Sequence, residues 1–236
     1  MEKSNHSGLR TWIEIDTKAI HANYRAFRKF VPKNMRIMGV VKSNAYGHNL
    51  TEFTQELEKL GIDMLAVDSL VEALALRKAN VRTPILVLGY TLPEMFLKAA
   101  DKNIHLTISS IDGLSAFLKT PKRKKIPIHL KVDTGMHRQG FLLSEKEKVL
   151  KIISSADINV TGLYTHYASA KDPSDRAFTE GQVTQFDEWR AALMAGGGSP
   201  LTHAGATGGT LCFPEAHFDM VRVGIGLYGV WPSDEI

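Results

Sequence analysis

One stretch sets the pattern for the rest of this chain: residues 37–48 read IMGVVKSNAYGH. The run Ile37–Val41 is apolar without alternation, which is typical of a parallel strand that is buried on both faces. Lys42 ends that run, and a polar turn that contains Gly47 follows it. A lone lysine in this position could simply extend its ammonium group to the surface. If burial instead lowers its pKa, the free amine becomes a nucleophile that suits Schiff-base chemistry.

Similar apolar runs recur along the chain with room for one helix between them. We predict strands at Ile37–Val41, Met64–Val67, Ile85–Leu88, His105–Ile108, Ile128–Val132, Ile158–Tyr164, Leu201–Ala206 and Met220–Val223. Helical periodicity predicts helices over Glu52–Lys59, Ser69–Lys78, Pro93–Lys102, Ile111–Lys119, Ser144–Ser155 and Phe178–Ala195. The connection from Gly208 to Phe218 is weakly helical at best. Eight strand–helix units over about 200 residues favour an α/β fold, the (β/α)8 TIM barrel. An open doubly wound sheet is the alternative, because periodicity does not reveal whether a sheet closes.

A short strand and a helix are predicted before the barrel. The strand covers Thr11–Ile15, and the helix starts near Thr17 with Asp16 placed to cap it. No linker interrupts the chain. We therefore expect residues 1–236 to form one domain.

The composition excludes several classes of protein. Hydrophobic residues make up 44% and charged residues 23% of the 236 residues, no apolar run is long enough to cross a bilayer, and the start lacks the apolar core of a signal peptide. Cys212 is the only cysteine, which rules out an internal disulfide and suits a reducing cytosol, so we expect a cytoplasmic location. The basic run at 122–125 could touch nucleic acid, but no aromatic residues interleave with it and we interpret it as a solvated loop.

In a TIM barrel, function sits where the strands end at their carboxyl side. The polar and glycine residues expected there are Lys42, Tyr46, Asp133, Met136, His137, Arg138, His166, Thr207, Gly208, Gly209, Arg222, Gly224 and Ile225. Taken singly, Arg138 could be a surface salt-bridge residue and His166 a satisfied core histidine. The loops after the seventh and eighth strands, residues 207–210 and 224–226, can supply N–H donors and a hydroxyl to a phosphate. A phosphate site beside a reactive lysine implies pyridoxal phosphate as the cofactor, and no metal site is expected.

The motifs of this chain resemble those of the alanine racemase family. The matching segments occur in the family's order at residues 12–16 (WIEID), 41–48 (VKSNAYGH), 133–141 (DTGMHRQGF), 163–168 (LYTHYA) and 221–229 (VRVGIGLYG). The resemblance implies racemisation of L-alanine to D-alanine, which supplies D-alanine for peptidoglycan. It also implies a homodimer in the full-length form, with alanine as the small-molecule partner and neither nucleic acid nor membrane as a partner.

The resemblance also assigns the residues that hold the cofactor. Lys42 would form the Schiff base with pyridoxal phosphate and act as one of two catalytic bases. Tyr46, Thr207, Gly224 and Ile225 would hold the phosphate. Threonine stands at position 207 where many members have serine, and its hydroxyl preserves the same contact.

Four more residues have implied roles around the ring and the substrate. Arg222 would face the pyridine nitrogen, and His166 would hydrogen-bond Arg222. Arg138 would contact the phenolic oxygen and the substrate carboxylate. Lys131 occupies a position that is carbamylated in some members, where it supports that arginine. Ala206 replaces an asparagine of many members, which we expect to be tolerated.

One departure from the family is large. The family's C-terminal β-domain, which supplies a tyrosine as the second base across the dimer interface, has no counterpart in this chain. We therefore expect a truncated racemase that lacks efficient two-base turnover.

Three other functions stay open. A single-domain pyridoxal phosphate-binding protein of cofactor homeostasis fits the length of the chain but not the motif at residues 42–47. A serine or broad-specificity racemase shares the catalytic class. A non-enzymatic interaction module would leave the site residues without a role.

Overall fold

The barrel is closed. The computed structural model describes residues 8–234. Within them, eight parallel strands pair in chain order around one sheet. The strands are β1 (Arg36–Val40), β2 (Met64–Val67), β3 (Ile85–Val87), β4 (Ile104–Ile108), β5 (Pro127–Lys131), β6 (Asn159–Tyr164), β7 (Leu201–His203) and β8 (Met220–Val223). Pairing of β1 with β8, which aligns Met38 with Arg222, closes the sheet. The predicted TIM barrel is confirmed, and the open sheet is excluded.

Helices alternate with these strands. They are α1 (Thr17–Phe30), α2 (Leu50–Lys59), α3 (Leu70–Lys78), α4 (Phe96–Asp101), α5 (Ile111–Leu118), α6 (Lys146–Ser155), α7 (Arg176–Ala195) and α8 (Thr207–Cys212). Asp16 caps α1 as predicted, because its carboxylate accepts the backbone N–H groups of Lys18 and Ala19. The segment predicted to be weakly helical overlaps α8, a short helix of six residues that begins one residue earlier, at Thr207. No helix in residues 8–234 is long and apolar enough to cross a membrane.

The predicted strand at Thr11–Ile15 is wrong. Residues 11–16 form no strand in the structure. The side chain of Ile13 is 76% exposed and that of Trp12 is 50% exposed. Because β1 and β8 pair with each other, the barrel offers no free edge to which this segment could hydrogen-bond. A β-favouring sequence without a neighbouring strand stays irregular.

Two apolar layers hold the barrel together. The larger layer lies between the strands and the helices and includes the fully buried rings of Phe53, Phe117, Phe186 and Trp189. The smaller layer fills the lumen with side chains from the strands: Met38, Val40, Met64, Ala66, Leu86, Tyr164 and Met220. The lumen also holds buried polar side chains, among them those of His129, His203 and Arg222. The core is therefore apolar outside the sheet and mixed inside it.

A left-handed turn follows β1. Ser43, Asn44, Ala45 and Tyr46 have φ values of 55°, 55°, 52° and 51°, and Gly47 continues the turn at 87°. Each non-glycine residue in this region costs about 1–2 kcal/mol, so four in succession are strained.

Two kinds of contact hold the strained turn in place. The carboxylate of Glu72 accepts the N–H of Asn44 at 3.2 Å, and the side chain of Asn44 accepts the N–H of Leu50 at 2.9 Å. The side chain of Ala45 is fully buried. Glu72 also forms the capping box of α3 with Ser69, so one carboxylate fixes both the turn and the helix beside it.

Replacing Ser43 with glycine should stabilise the protein. Glycine adopts a positive φ without the Cβ penalty, so Ser43→Gly should raise the free energy of unfolding by about 0.5–1 kcal/mol after the entropy cost of glycine. The matched control is Ser115→Gly inside the right-handed helix α5, which should lower it by roughly 0.5 kcal/mol. Urea unfolding followed by circular dichroism measures both. Equal destabilisation by the two changes would show that the turn at Ser43 carries no strain.

Acid should destabilise the protein before its carboxylates titrate. Burial lowers the pKa of His105 to about 4 and that of His166 to about 3, and it lowers the pKa values of His129 and His203 well below 6.5. The unfolded chain therefore takes up protons near pH 6.5 that the folded chain does not. Stability is complete above that pH and falls as the pH drops towards the folded pKa values, by up to ~1.4 kcal/mol per pH unit for each histidine.

Urea midpoints measured from about pH 7.5 to about pH 5 test this dependence. His105→Phe should reduce the slope by about one proton, whereas His137→Gln, a change of an exposed histidine, should leave it unchanged. A flat profile in the parent protein would contradict the buried neutral state of these histidines.

Candidate active site

The predicted site residues meet around one cavity. It has a volume of about 540 Å³ and lies at the carboxyl ends of the strands. Its lining includes all nine residues to which the family resemblance assigned a role: Lys42, Tyr46, Lys131, Arg138, His166, Thr207, Arg222, Gly224 and Ile225. The volume is in the range of small-molecule and cofactor sites. Barrel closure thus gathers residues from both ends of the chain.

The cavity carries an excess of positive charge. Its lining contains five cationic side chains, those of Lys42, Lys131, Arg138, Lys171 and Arg222. Asp68 is the carboxylate that faces them. Charges of one sign in a cleft strengthen one another's field, so this cavity attracts anionic groups such as phosphates and carboxylates.

The left-handed turn carries Lys42 and Tyr46 to the edge of the cavity. The ring of Tyr46 packs against that of Tyr228, with 5.0 Å between centroids. Tyr228 donates its hydroxyl hydrogen to the carbonyl of Val40 at 3.0 Å, which ties this pair to the end of β1. A Cβ on Gly224 would lie 3.3 Å from the hydroxyl of Tyr46. The phenol oxygen therefore lies directly over the loop that follows β8.

Polar groups converge on the same loop from α8. The hydroxyl oxygen of Thr207 accepts the N–H groups of Gly224 and Gly226, each at 3.2 Å. A side chain on Gly208 would crowd Lys171, because its Cβ would come within 3.0 Å of the lysine Cβ. The hydroxyls of Tyr46 and Thr207 thus lie on the cavity lining next to Gly208 and Gly224. This arrangement suits the oxygens of a phosphate.

Arg222 is buried at the cavity floor, with 3% of its surface exposed. It donates hydrogen bonds to Nδ1 of His203 at 2.7 Å, to Nδ1 of His166 at 3.2 Å and to the carbonyls of Thr165, at 2.8 Å, and Ala204. No salt bridge found in residues 8–234 includes Arg222. Burial lowers its pKa to about 10, so the guanidinium stays charged at neutral pH.

A loop that follows β5 presents Arg138. Asp133 accepts the N–H groups of Gly135 and His137 at 2.9 and 3.1 Å, which folds the loop back on itself. Gly140 is required at the closure, because a Cβ there would lie 2.5 Å from the backbone nitrogen of Asp133. Arg138 is exposed and takes part in no salt bridge within the described part of the chain. Its guanidinium is therefore available to a ligand rather than engaged on the surface.

Lys131 is a buried lysine with weak polar contacts. It is 4% exposed, its Nζ lies 3.5 Å from Oε1 of Gln139, and the ring of Tyr164 lies 5.6 Å from it. Its pKa is lowered to about 8, mainly by burial and to a smaller extent by the charges of Arg138 and Arg222. A fraction of this amine is consequently uncharged near neutral pH.

Some expected residues have other roles. Asp133, Met136 and His137 lie outside the cavity lining, and Asp133 instead holds its own loop. Gly208 and Gly209 line the cavity as expected. In residues 8–234, no group of three or more His, Cys, Asp or Glu side chains could hold a metal ion.

The sequence reasoning missed several residues of the site. Asp68 follows β2 directly, so the rule that selected the other strand ends would also have selected it. Gln139 and Lys171 lie in loops whose path a sequence does not reveal. His203 carries no local signal, because its partners come from other strands. Only the closed barrel shows that this histidine supports Arg222.

Known proteins match the chain closely. The chain is 40% identical over 228 residues to an alanine racemase of Methanococcus maripaludis, covering 94% of this chain and 61% of that relative. It is 37% identical to alanine racemase 2 of Bacillus subtilis, covering 94% of this chain and 58% of the relative.

Solved structures agree with these relatives. An alanine racemase of Clostridium difficile 630 in complex with cycloserine matches with a TM-score of 0.91 at 30% identity, covering 97% of this chain and 64% of that one. An alanine racemase from Bacillus anthracis with bound L-Ala-P matches with a TM-score of 0.89 at 33% identity, covering 96% and 59% respectively.

The chain spans about 60% of the length of the curated relatives that it matches. The family model for the alanine racemase N-terminal domain matches residues 15–232, which include every strand of the barrel and every residue predicted for the site. The chain belongs to this family.

Proposed function

We propose that this protein is a pyridoxal phosphate-dependent alanine racemase, which interconverts L- and D-alanine. One observation carries the proposal: the cavity lining unites an amine at the end of β1, two hydroxyls beside the loop after β8, and several cationic side chains. This combination matches a ligand that has both an aldehyde and a phosphate. The alanine racemases that resemble the chain support the choice of substrate.

The residues present fit this cofactor. Tyr46, Thr207, Gly224 and Ile225 would hold the phosphate, because the hydroxyls of Tyr46 and Thr207 meet beside Gly224 on the lining and the cavity is cationic. Lys42 would hold the aldehyde carbon. When bound, the cofactor supplies an aldehyde that condenses with amines and a ring that withdraws electrons from the α-carbon of the substrate.

Two cations would act on the substrate. Lys42, once its amine is displaced by that of alanine, would take the proton from the α-carbon and return one on the same face. Arg138 would bind the carboxylate of alanine through its fork of N–H donors, since it is free of salt bridges in the described residues. Binding the carboxylate fixes the orientation of the α-hydrogen towards the base.

Arg222 would set the outcome of proton removal. A guanidinium donates hydrogen bonds and keeps its own proton, so it would leave the ring nitrogen unprotonated. Arg222 would thereby weaken the electron withdrawal that the cofactor supplies, and this would favour rapid return of a proton over side reactions such as transamination. His166 would keep Arg222 in place through the contact of 3.2 Å.

Lys131 would support Arg138 as a carbamate. A lysine whose pKa lies at about 8 has an uncharged fraction that can attack carbon dioxide, and the new N–C bond releases one proton. The product carries a negative charge amid the cations of the cavity. This charge would offset their mutual repulsion and orient the guanidinium of Arg138.

The proposal extends to the whole racemase. The rest of the relatives' length has no counterpart in these 236 residues. A second base for the opposite face, a homodimer and the supply of D-alanine for peptidoglycan belong to the same proposal, with residues 1–236 as the cofactor-binding domain.

Trapping the cofactor on Lys42 tests the proposal directly. The chain is incubated with pyridoxal phosphate, reduced with borohydride and digested, and the peptides are measured by mass spectrometry. We expect one reduced adduct, on Lys42, because Tyr46 and Thr207 would hold the phosphate next to this amine. Lys42→Arg is the matched control, which keeps the charge but removes the nucleophile and should lose the adduct. Labelling spread evenly over surface lysines would overturn the cofactor site.

Hydrogen exchange separates racemisation from mere cofactor binding. With pyridoxal phosphate and either enantiomer of alanine in D₂O, Lys42 should exchange the α-hydrogen from one face only, so one enantiomer gains deuterium while its conversion to the other is far slower. Proton NMR and chiral chromatography measure the two rates. Lys42→Arg should abolish both. Adduct formation without exchange would favour a cofactor-homeostasis protein, and equally fast conversion to the other enantiomer would place a second base within these residues.

A further inference from the structure

A line of histidines crosses the barrel lumen beneath the cavity. Nδ1 of His203 on β7 receives a hydrogen bond from Arg222 at 2.7 Å. Nε2 of His203 lies 3.0 Å from Nδ1 of His129 on β5, and Nε2 of His129 lies 3.2 Å from Nδ1 of His105 on β4. Three imidazoles thus connect Arg222 with the opposite side of the lumen.

The neighbouring strand leaves a gap for this line. Strand β6 lies between β5 and β7, and Gly162 of β6 is aligned with His129. A Cβ on Gly162 would lie only 2.3 Å from Nδ1 of His129. The ring of His129 therefore passes over Gly162 to reach His203. Any larger residue at position 162 would prevent this contact. The ring of Tyr164 stacks on His203 with 4.7 Å between centroids and keeps it in plane.

Arg222 sets the direction of every hydrogen bond in the line. A guanidinium only donates, so Nδ1 of His203 must be an acceptor and its hydrogen must lie on Nε2. That hydrogen is donated to Nδ1 of His129, which places the hydrogen of His129 on Nε2. The same argument places the hydrogen of His105 on Nε2. All three rings are neutral and share one tautomer.

A proton added to the line would break it. A charged His203 or His129 donates from both nitrogens, so two donors would face each other at one contact. The line is also buried away from water, and burial lowers the pKa values of these histidines. At its far end His105 is half-buried, and Thr161 beside it lines a second cavity at the other mouth of the barrel. The neutral acceptors therefore hold Arg222 and leave its positive charge unbalanced. A carboxylate partner would neutralise that charge.

We propose that His203, whose single tautomer Arg222 imposes and whose Nε2 hydrogen His129 accepts, is a positioning residue for Arg222. The direction of the hydrogen bonds in the line follows from Arg222 alone. The effect of the line on the cofactor ring rests on the proposed function. His203 fixes NH1 of the guanidinium, and His166 and two carbonyls fix NH2. These contacts fix the plane of the guanidinium, so its remaining N–H groups have a set direction and the group keeps its positive charge.

Histidine NMR tests the direction of the line without any cofactor. In the parent chain labelled with ¹⁵N-histidine, two-bond ¹⁵N–¹H correlations near neutral pH should show His105, His129 and His203 as neutral rings with the hydrogen on Nε2. Single histidine substitutions assign the signals. A charged ring, or a hydrogen on Nδ1 of any of the three, overturns the proposal in the unaltered protein.

Two matched ring substitutions add a directional test. In His203→Phe the link to Arg222 is lost, so His129 and His105 should become mixtures of both tautomers. In His105→Phe the far end is lost, and His129 and His203 should keep the single tautomer. Circular dichroism confirms that each variant folds. The opposite pattern, or no difference between the two variants, would show that Arg222 does not set the polarity.

Pyridoxal phosphate labelled with ¹⁵N in the ring reports on the positioning of Arg222. We expect the resonance of the bound ring nitrogen to shift in His203→Phe and to stay unchanged in His105→Phe. An unchanged resonance in both variants would deny His203 its positioning role even if the tautomers are as expected. If no variant and no parent chain binds the cofactor, the proposed function fails, while the tautomer measurements still decide the direction of the line.

Discussion

The hydrogen-bonded pairing of β1 with β8 is the constraint on which the rest of the structure depends. It aligns Met38 with Arg222 and Gly39 with Val223, so the two ends of the barrel sequence leave the sheet side by side. Neighbouring strands are about 4.8 Å apart, which leaves the turn after β1 and the loop after β8 in direct contact. Lys42 and the loop that contains Gly224 and Ile225 therefore share one edge of one cavity. Without closure, the same residues would lie on the opposite edges of an open sheet.

The arrangement of the site lowers the stability of the folded chain. Four consecutive residues in the left-handed region store strain, and Lys42, Lys131, Arg138 and Arg222 repel one another across the cavity. The larger apolar layer, between the strands and the helices, and the contacts of Glu72 stabilise this arrangement and offset its energetic cost. An anionic ligand that binds only the folded state would add stability, since it offsets the repulsion that the free chain retains.

The lumen shows the same balance between stability and function. The interior of such barrels is usually filled by branched apolar side chains, and here imidazoles and a guanidinium take part of that space. Buried polar groups destabilise a protein unless each finds a partner. In this lumen the partners are supplied in sequence, from Arg222 to His203 to His129 to His105. The polar line is thus compatible with a stable core, and it leaves the charge of Arg222 unneutralised.

The sequence by itself determined the order of strands and helices, because runs without alternation mark buried parallel strands and helical periodicity marks the segments between them. It also identified part of the cavity lining, since strand ends in a barrel converge; Lys42 and Arg222 could be selected in this way, whereas Gln139 and Lys171 could not. The strand expected at Thr11–Ile15 failed because a strand needs a free edge, and closure removes it. The left-handed turn at Ser43–Tyr46 and the partners of His203 were decided by tertiary structure alone. Both depend on contacts with other strands and helices, and such contacts leave no periodic trace in the residues that make them.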